Sequence, residues 1–432
     1  MLRIISFFLI TLLLVCIPNT SQADFLKANF QATYVWQTHP GFSAFYDGPH
    51  SLVSTQETGY TLTSTLFLGL NPWKGGEFFF NPETIQSHEL SGLHGLGGLS
   101  NGENQKGGSP SMKIYSARAF FRQTFDLGGN SLTIQNAANQ FQLETTSRRI
   151  VVTAGQFALI DLFDNNSYSH DPRTQFLNWS FLTHAASDYA ADARGYTVGL
   201  VIEGYWDAWA LRIGHVAQPK ESNGLPLDYQ LWKHFGLYLE LEHDHEILGH
   251  PGKVRLLGFV NRANMAAFRD ALTQQNTGVP DLSKVRHDQI KLGFGISLEQ
   301  ELTRDLGIFG RFSWNDGRTE IYAFTEVDLS LTAGMTLKGT SWFRSGDTLG
   351  FAVALNGLSS GHRQFLASGG IGPFLGDGRL NYSPEWILEG YYSFKAWDGL
   401  YFSYDFQAIW NPGYNADRGP VMIHSFRGHV EF

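Results

Sequence analysis

Polar and apolar residues alternate along most of this chain, and the alternation has a period of two. Successive side chains of a β-strand point to opposite faces, so this pattern predicts strands and not helices. The clearest example lies in residues 235–246, where one face carries Phe235, Leu237, Leu239 and Leu241 and the other carries Tyr238, Glu240, Glu242 and Asp244. Similar segments occupy residues 29–37, 61–70, 115–125, 197–213, 289–299, 306–315, 327–338, 349–356, 386–396, 401–410 and 422–432.

The second face of these segments is rich in Gly, Ser, Thr, Gln, Arg and Glu. A soluble barrel fills its interior with aliphatic side chains, whereas a membrane barrel has a polar lumen and an apolar outer wall. The pattern gives roughly 16 strands, a number that leaves an aqueous channel. We therefore predict an all-β fold, a transmembrane antiparallel β-barrel with inward-folded loops. A soluble β-sandwich or propeller is the alternative.

The segment Ala158–Gly195 interrupts the alternation and concentrates Asp, Arg, Trp and Tyr residues. Strands precede and follow it, which predicts a long loop with helical turns, held inside the barrel, where it narrows the pore. The other long connections are expected on the extracellular side. They span residues 40–59, 84–112, 218–233, 265–285 and 358–382.

Glycine-rich stretches punctuate the strands. Leu127–Asn130 and Trp397–Gly399 have the composition of tight turns, so each is predicted to separate two strands. The segment Ser87–Gly108 carries five glycines in its middle part, which predicts a flexible, hinge-like loop folded on the mouth of the barrel.

The amino terminus has the features of an export signal. Arg3 precedes an apolar run from Ile4 to Ile17, and Ser21–Ala23 resembles a cleavage site, which gives a signal peptide at residues 1–23 and one barrel domain at residues 24–432. Cys16 is the only cysteine and leaves with the signal, so no disulfide is expected. Export without apolar helical spans is consistent with the outer membrane of a Gram-negative bacterium, with lipid as a partner.

Charge argues against a nucleic-acid partner. Loss of Arg3 leaves 30 basic and 40 acidic residues, a net charge of −10, whereas nucleic-acid binding favours a basic surface. Aromatic residues form 14% of the chain and charged residues only 16%, which suits many strands with interfacial aromatics but also a secreted solenoid or propeller.

Some segments of the chain have residue types found in enzyme active sites, but they do not predict a catalytic site. His243-Asp244-His245 has metal-ligand residue types, but period two places both histidines on the apolar side near a strand end. A hydrolytic barrel requires a nucleophile, a base and an acid that converge in space, which spacing alone does not reveal. No catalytic residue, metal or other cofactor is therefore predicted.

Transport remains as the chemistry that the residues favour. Sugars have apolar ring faces and many hydroxyls, so a selective pore needs planar aromatics and paired donors and acceptors. For each charged residue taken alone, the alternative is a solvated or cross-paired lumen residue. The predicted pore-lining residues are Arg118, Arg122, Asp161, Asp164, Arg173, Trp179, Asp192, Arg194, Glu203, Arg212, Glu242, Arg311, Asp417 and Arg418.

Two related motifs, Tyr189–Gly195 and Tyr414–Pro420, resemble those of the OprB-type carbohydrate-selective porins. Asn81-Pro82-Glu83, Ser91 through Glu103, and Gly376–Tyr382 are also similar to that family, and the resemblance spans essentially the whole mature chain. It implies a 16-stranded outer-membrane barrel whose charged constriction favours sugars. A longer branch of the family carries an amino-terminal coiled-coil or surface-layer-like segment, and we expect this chain to belong outside that branch. Asp192, Arg194, Asp417 and Arg418 are carried over as motif residues, without implied solute contact.

The leading hypothesis is thus a passive diffusion channel for mono- or oligosaccharides. The alternatives are a general porin for other small polar solutes, an outer-membrane hydrolase, and an adhesin with a sealed lumen. Whether the protein is a monomer or a trimer stays open at this point.

Overall fold

The computed structural model describes residues 25–274 and 278–432. In this part of the chain sixteen antiparallel strands form a closed barrel, in which each strand pairs with its neighbours in sequence and the last strand closes on the first. The predicted fold is confirmed. The predicted signal peptide lies outside the described residues.

The barrel strands pair antiparallel, with register shifts in five of the strand pairs, and two further short strands form a separate ribbon. Their bounds are β1 Leu26–His39, β2 Glu57–Trp73, β3 Gly76–His88, β4 Lys113–Ile134, β5 Leu143–Phe157, β6 Thr197–Trp206, β7 Trp209–Val216, β8 Gln218–Pro219, β9 Leu227–Asp228, β10 Phe235–Ile247, β11 His250–Ala266, β12 Arg286–Glu301, β13 Leu306–Asn315, β14 Leu329–Gly339, β15 Arg344–Gly357, β16 Glu385–Trp397, β17 Leu400–Trp410 and β18 Val421–Glu431.

Helical structure is confined to the connections. The α-helices are Trp179–Leu182, Phe268–Thr273 and Ser360–Ala367. Single 3₁₀ turns occupy Leu90–Leu93, Asn104–Lys106, Leu159–Asp161, Leu282–Lys284, Thr340–Trp342 and Pro412–Tyr414. No helix in the described part of the chain has the length and apolar character needed to cross a membrane.

The two faces of the wall differ as the alternation predicts. On β10, Leu237, Leu239 and Leu241 are 37–50% exposed on the outside, whereas Glu240 and Glu242 are buried on the inside. Aliphatic residues that face outward from every part of the wall are unfavourable in water and favourable in lipid. This distribution is that of a membrane barrel.

The two ends of the barrel are unlike. At one end most strands are joined by short turns, such as those after Trp73, Trp206, Ile247 and Trp397, and the predicted turn Trp397–Gly399 is confirmed. At the other end lie the long connections, to which the structure adds residues 316–328 and 411–420. The sequence analysis did not assign these two as long connections.

The predicted turn Leu127–Asn130 is wrong. The segment lies within β4, which continues to Ile134 before the chain turns back into β5. Gly128 and Gly129 adopt φ values of 94° and 91°, and the pairing register with β5 shifts on both sides of Gly128. These glycines form bulges that bend a long hairpin, which is the other common use of glycine in a strand.

The long connections pack on one another through a buried histidine. His362, on the helix Ser360–Ala367, lies with Nδ1 3.1 Å from Asp328 and Nε2 3.4 Å from Glu326. Its ring stacks on Phe268 with a centroid separation of 4.4 Å. Burial alone would lower the pKa of His362, but Asp328 and Glu326 raise it to about 9. A protonated His362 therefore ties three connections together.

Candidate functional site

The connection between β5 and β6 lies inside the barrel, as predicted. Most of its aromatic residues are buried in two hydrophobic clusters that include inward-facing wall residues. Phe176 is 1% exposed and packs edge-on against Tyr391 of β16 at 4.9 Å, and Tyr189 stacks on Tyr238 of β10 at 6.0 Å. Because both sides of the lumen hold this loop, it narrows the channel.

Buried charges on the wall hold the same loop by its backbone. Arg311 donates from Nε to Asp164 at 2.8 Å and from Nη1 to the Phe181 carbonyl at 3.0 Å. On β16, three strands away from Arg311, Glu389 accepts from the backbone N–H groups of Leu177 and Asn178. Buried backbone groups require hydrogen-bond partners. Because wall side chains supply these partners, the backbone of the inward loop is held in one conformation.

The glycine-rich segment lies inside the barrel and not on its mouth, which corrects the predicted placement. The amides of Gly97 and Gly98 donate to the carboxylate of Glu385 at 3.0 and 2.8 Å. A Cβ on Gly98 would lie 2.2 Å from Ser180 Oγ. Gly98 thus permits close packing against the inward loop, and the sequence pattern does not distinguish this use from flexibility.

A cavity of about 260 Å³ lies between the inward loop, the glycine-rich segment and the wall of β1–β4. Four cationic side chains and three carboxylates line it, together with aromatic rings. The charged lining residues are Glu103, Lys106, Arg118, Asp161, Asp171, Arg173 and Arg194. The aromatic lining residues are Phe67, Trp179, Tyr189, Tyr196 and Phe324.

One charge pair spans the cavity from wall to loop. Arg118 of β4 donates from Nε and Nη2 to the two carboxylate oxygens of Asp161, both at 2.6 Å. Burial alone would raise the pKa of Asp161, but the Arg118 guanidinium lowers it below the usual value. The Arg118 guanidinium also lies 5.4 Å from the Tyr196 ring centroid. Asp161 therefore stays ionised, and its two-fold hydrogen bonding with the Arg118 guanidinium is maintained.

A second cluster holds Arg173 of the inward loop. Its guanidinium donates to Glu103 at 2.8 and 3.0 Å, to Glu83 of β3 at 2.8 Å and to Thr65 at 3.1 Å. Lys106 adds a contact of 3.0 Å to Glu103. Arg173 and both carboxylates are almost fully buried, so their charges are matched within the site.

Aromatic planes complete the lining. Trp179 stacks on Phe324 with a centroid separation of 4.9 Å, and its Nε1 donates to the Asn101 carbonyl at 2.7 Å. Arg194 lies over the ring of Tyr115 at 4.3 Å. The site thus presents ring faces beside fixed donors and acceptors, which is the combination that polyhydroxylated solutes require.

Residues 50–432 match the sequence profile described as carbohydrate-selective porin, OprB family. The chain therefore belongs to the OprB family of carbohydrate-selective porins. As a member of this family, the protein is an outer-membrane channel for carbohydrates. No sequence among the curated proteins compared matches it.

Solved structures share the fold of this porin. Pseudomonas putida OprB, in a structure determined at high pH, superposes with a TM-score of 0.70, at 17% identity over 94% of each chain. Weaker likenesses include OmpT of Vibrio cholerae without its loop L8, with a TM-score of 0.47 and 10% identity over 95% of this chain and 100% of that one. OccK2 of Pseudomonas aeruginosa has a TM-score of 0.44 and 9% identity, over 94% of this chain and 97% of that chain.

The predicted pore residues of this porin fall into two groups. Arg118, Asp161, Arg173, Trp179 and Arg194 line the cavity. The others lie outside the cavity, and most of them hold the inward loop, the wall or the long connections; these are Arg122, Asp164, Asp192, Glu203, Arg212, Glu242, Arg311, Asp417 and Arg418.

The wall residues of the second group form a chain of alternating charges. Arg212 contacts Glu203 at 3.1 Å and Glu242 at 3.3 Å, and Arg255 continues the chain from Glu242 to Glu299. Glu299 then accepts from the backbone and hydroxyl of Ser167 in the inward loop. The sequence analysis assigned no strand to residues 254–262, so Arg255 was missed.

The residues carried over from the family motifs shape the connections. Asp192 accepts from the backbone amides of Arg194 and Tyr196, which fixes the end of the inward loop. Arg418 contacts Asp47 at 2.8 Å, and Asp417 accepts from Asn381. The last two residues therefore join the connections at the long-loop end, away from the cavity.

Sequence reasoning also missed Glu83, Glu103, Lys106, Tyr196 and Phe324 as parts of the site. Glu83 and Glu103 stand in two of the stretches that carry the family resemblance, which was a usable signal. Phe324 lies in a connection that the pattern assigned to no loop. The stacking of Phe324 on Trp179 results from the tertiary fold, and no sequence pattern predicts it.

The residues considered for enzymatic chemistry have other environments. His243 packs on Trp209 at 4.2 Å on the outward side of β10. Within the described ranges, no group of three or more His, Cys, Asp or Glu side chains is arranged to hold a metal ion. Two stretches, Gly98–Gly102 and Gly357–Gly361, fit the G-x-S-x-G pattern of serine hydrolases.

Neither serine has the neighbours of a nucleophile. Ser359 Oγ donates to the Gly317 carbonyl and accepts from the backbone amide of His362, while the imidazole Nε2 faces Glu326. Ser100 Oγ contacts Gln37 at 3.3 Å. In a Ser-His-Asp triad an imidazole nitrogen accepts the proton of the serine hydroxyl, and neither of these two hydroxyls makes that contact.

Proposed function

We propose that this protein is a passive diffusion channel in which the cavity beside the inward loop selects neutral, ring-shaped sugars. The main supporting observation is the lining of the cavity, in which stacked aromatic rings adjoin the ion pairs Arg118–Asp161 and Arg173–Glu103. Diffusion through such a site needs no cofactor and no catalytic residue. The outward aliphatic residues are proposed to contact outer-membrane lipid.

Charge balance supports a neutral solute. Four cationic side chains and three carboxylates line the cavity, and Glu83 lies directly behind Arg173 and supplies a fourth carboxylate. A site with matched charges gives neither cations nor anions a large advantage, whereas a hydroxyl can exchange hydrogen bonds with either partner. Arg118, Asp161, Arg173 and Arg194 are proposed to contact the solute hydroxyls.

Size supports a small solute. A volume of about 260 Å³ falls just below the range of about 300–1,000 Å³ that is typical of pockets for drug-sized ligands. One or two sugar rings are therefore the favoured occupants, and long oligosaccharides are expected to pass slowly.

Liposome swelling tests the proposal. Vesicles that contain the refolded chain are placed in sugars of increasing size and in amino acids of matched size. We expect faster swelling with the sugars. Equal rates governed by size alone would indicate a general porin, and an absence of swelling would favour a sealed barrel.

Two variants locate the selectivity. Phe324→Leu removes a stacking plane and is expected to reduce sugar entry while ion conductance stays high. Trp232→Leu is the matched control, because Trp232 is 79% exposed outside the cavity. Equal loss in both variants would contradict an aromatic role. Hydrolysis of lipid or glycan by the wild-type protein would favour the enzyme alternative instead.

A further inference from the structure

The hairpin of β4 and β5 returns into the barrel from the short-turn end. Residues 125–131 are exposed, which places this part of the hairpin outside the barrel. The tip reverses direction at the paired residues Ala137 and Gln140, which exchange backbone hydrogen bonds of 3.0 Å. Beyond this turn, Phe141 is only 4% exposed.

An aromatic contact anchors the tip to the inner wall. The Phe141 ring packs on Phe79 of β3 at 5.6 Å, and Phe79 packs on Phe120 of β4 at 5.3 Å. Both wall residues are buried on the inward face. A Cβ on Gly69 of β2 would lie 2.9 Å from the Phe141 ring, so the wall leaves room for that ring only by carrying a glycine there.

A polar network fixes the orientation of the tip. Glu77 accepts from the Phe141 backbone amide at 2.8 Å, and Arg122 donates to the Asn139 carbonyl and to the Gln140 side-chain oxygen, each at 3.0 Å. Arg122 and Glu77 are themselves 3.4 Å apart. The predicted pore residue Arg122 thus acts on the hairpin tip.

The tip reaches the solute cavity. Asn139 is one of the residues that line it, whereas the other connections that line it enter from the opposite end. The side chains of Asn139 and Asn81 form a reciprocal amide pair, with hydrogen bonds of 3.0 and 2.9 Å. The cavity is therefore bounded by loops on one side and by this hairpin on the other.

We propose that the hairpin tip, residues 137–141, is a second selectivity element on the exit side of the channel, where neutral polyhydroxylated solutes displace the Asn81–Asn139 amide pair. Each amide offers donors and an acceptor without net charge, so solute hydroxyls can replace every hydrogen bond that the pair loses. An ion cannot do so without losing hydration. This inference rests on the proposed function, because the solute class assigned to the hairpin tip follows from the proposed preference for sugars.

A thiol introduced at the tip tests whether the solute path passes it. The chain without residues 1–23 contains no cysteine, so Asn139→Cys provides a unique site. In planar bilayers, a cationic methanethiosulfonate reagent added at the short-turn side is expected to reduce the single-channel current by about half, because the added group occupies the path. Ser131→Cys, on the exposed part of the same hairpin, is the matched control and is expected to react without changing the current.

A second variant tests the size limit. Phe141→Ala removes the aromatic anchor, and we expect trisaccharide entry to increase several-fold relative to monosaccharide entry, with Ser131→Ala unchanged. Unchanged current after complete modification of Asn139→Cys, or failure of that thiol to react in the folded channel, would overturn the proposal. If sugars enter no faster than matched amino acids, the proposed sugar preference is refuted. The effect of modifying Asn139→Cys on the current would still show whether the hairpin lies in the solute path.

Discussion

Removal of the Arg173 guanidinium should destabilise the folded barrel more than removal of any exposed arginine. Arg173→Ala leaves the buried carboxylates of Glu83 and Glu103 without their main partner. Breaking a buried ion pair by removing one partner costs about 3–5 kcal/mol. Lys106 remains 3.0 Å from Glu103 and 3.9 Å from Glu83, so we expect the lower end of that range, about 3 kcal/mol.

Urea unfolding in lipid vesicles, followed by tryptophan fluorescence, measures this loss. The matched control is Arg148→Ala, because Arg148 pairs with Asp207 on the surface, where both side chains are about 40% exposed. An exposed pair of this kind contributes about 1 kcal/mol or less. Arg173→Lys keeps the charge but loses the fork to both carboxylates, so it should fall between the two.

The same variant changes the charge of the cavity. Arg173→Ala removes one positive charge and leaves an excess of carboxylates, so the reversal potential in a salt gradient should shift toward cation selectivity. Equal unfolding midpoints for Arg173→Ala and Arg148→Ala, together with an unchanged reversal potential, would refute both the buried ion pair and its position at the cavity.

Three further perturbations follow from the same structure. The pKa of His362 is about 9 in the folded protein and 6.5 for an ordinary histidine. Its contribution of about 3 kcal/mol to stability is therefore complete below pH 6.5 and is lost as the pH rises through about 9; unfolding measured against pH should show this loss, and His362→Gln should abolish it. Replacing Arg118 and Arg122 by alanine should shift ion selectivity toward cations while the barrel remains folded, and an unchanged reversal potential would place both outside the ion path. Gly98→Ala should cost about 1–3 kcal/mol through overpacking, whereas Gly258→Ala, with no atom within 4 Å of its new Cβ, should unfold like the wild type.

The barrel could be predicted because its determinants are local. Leu237 and Glu240 differ in environment simply because strand residues alternate between lipid and lumen, and a period of two is visible without knowing any partner. The inward loop was equally visible as a break in that period. Residue type alone was less informative for glycine, since Gly128 and Gly98 serve a bulge and a close contact where a turn and a hinge were expected.

The site depended on tertiary structure. Arg173 lies 90 residues from Glu83 in the chain, and the two meet only because the loop folds across the lumen onto β3. The stacking of Trp179 on Phe324 and the approach of Asn139 to Asn81 arise in the same way. Such contacts join elements whose separation in sequence carries no period. The sequence by itself therefore determined a membrane barrel with a charged inward loop, while the closed barrel decided which charges pair and which rings face the cavity.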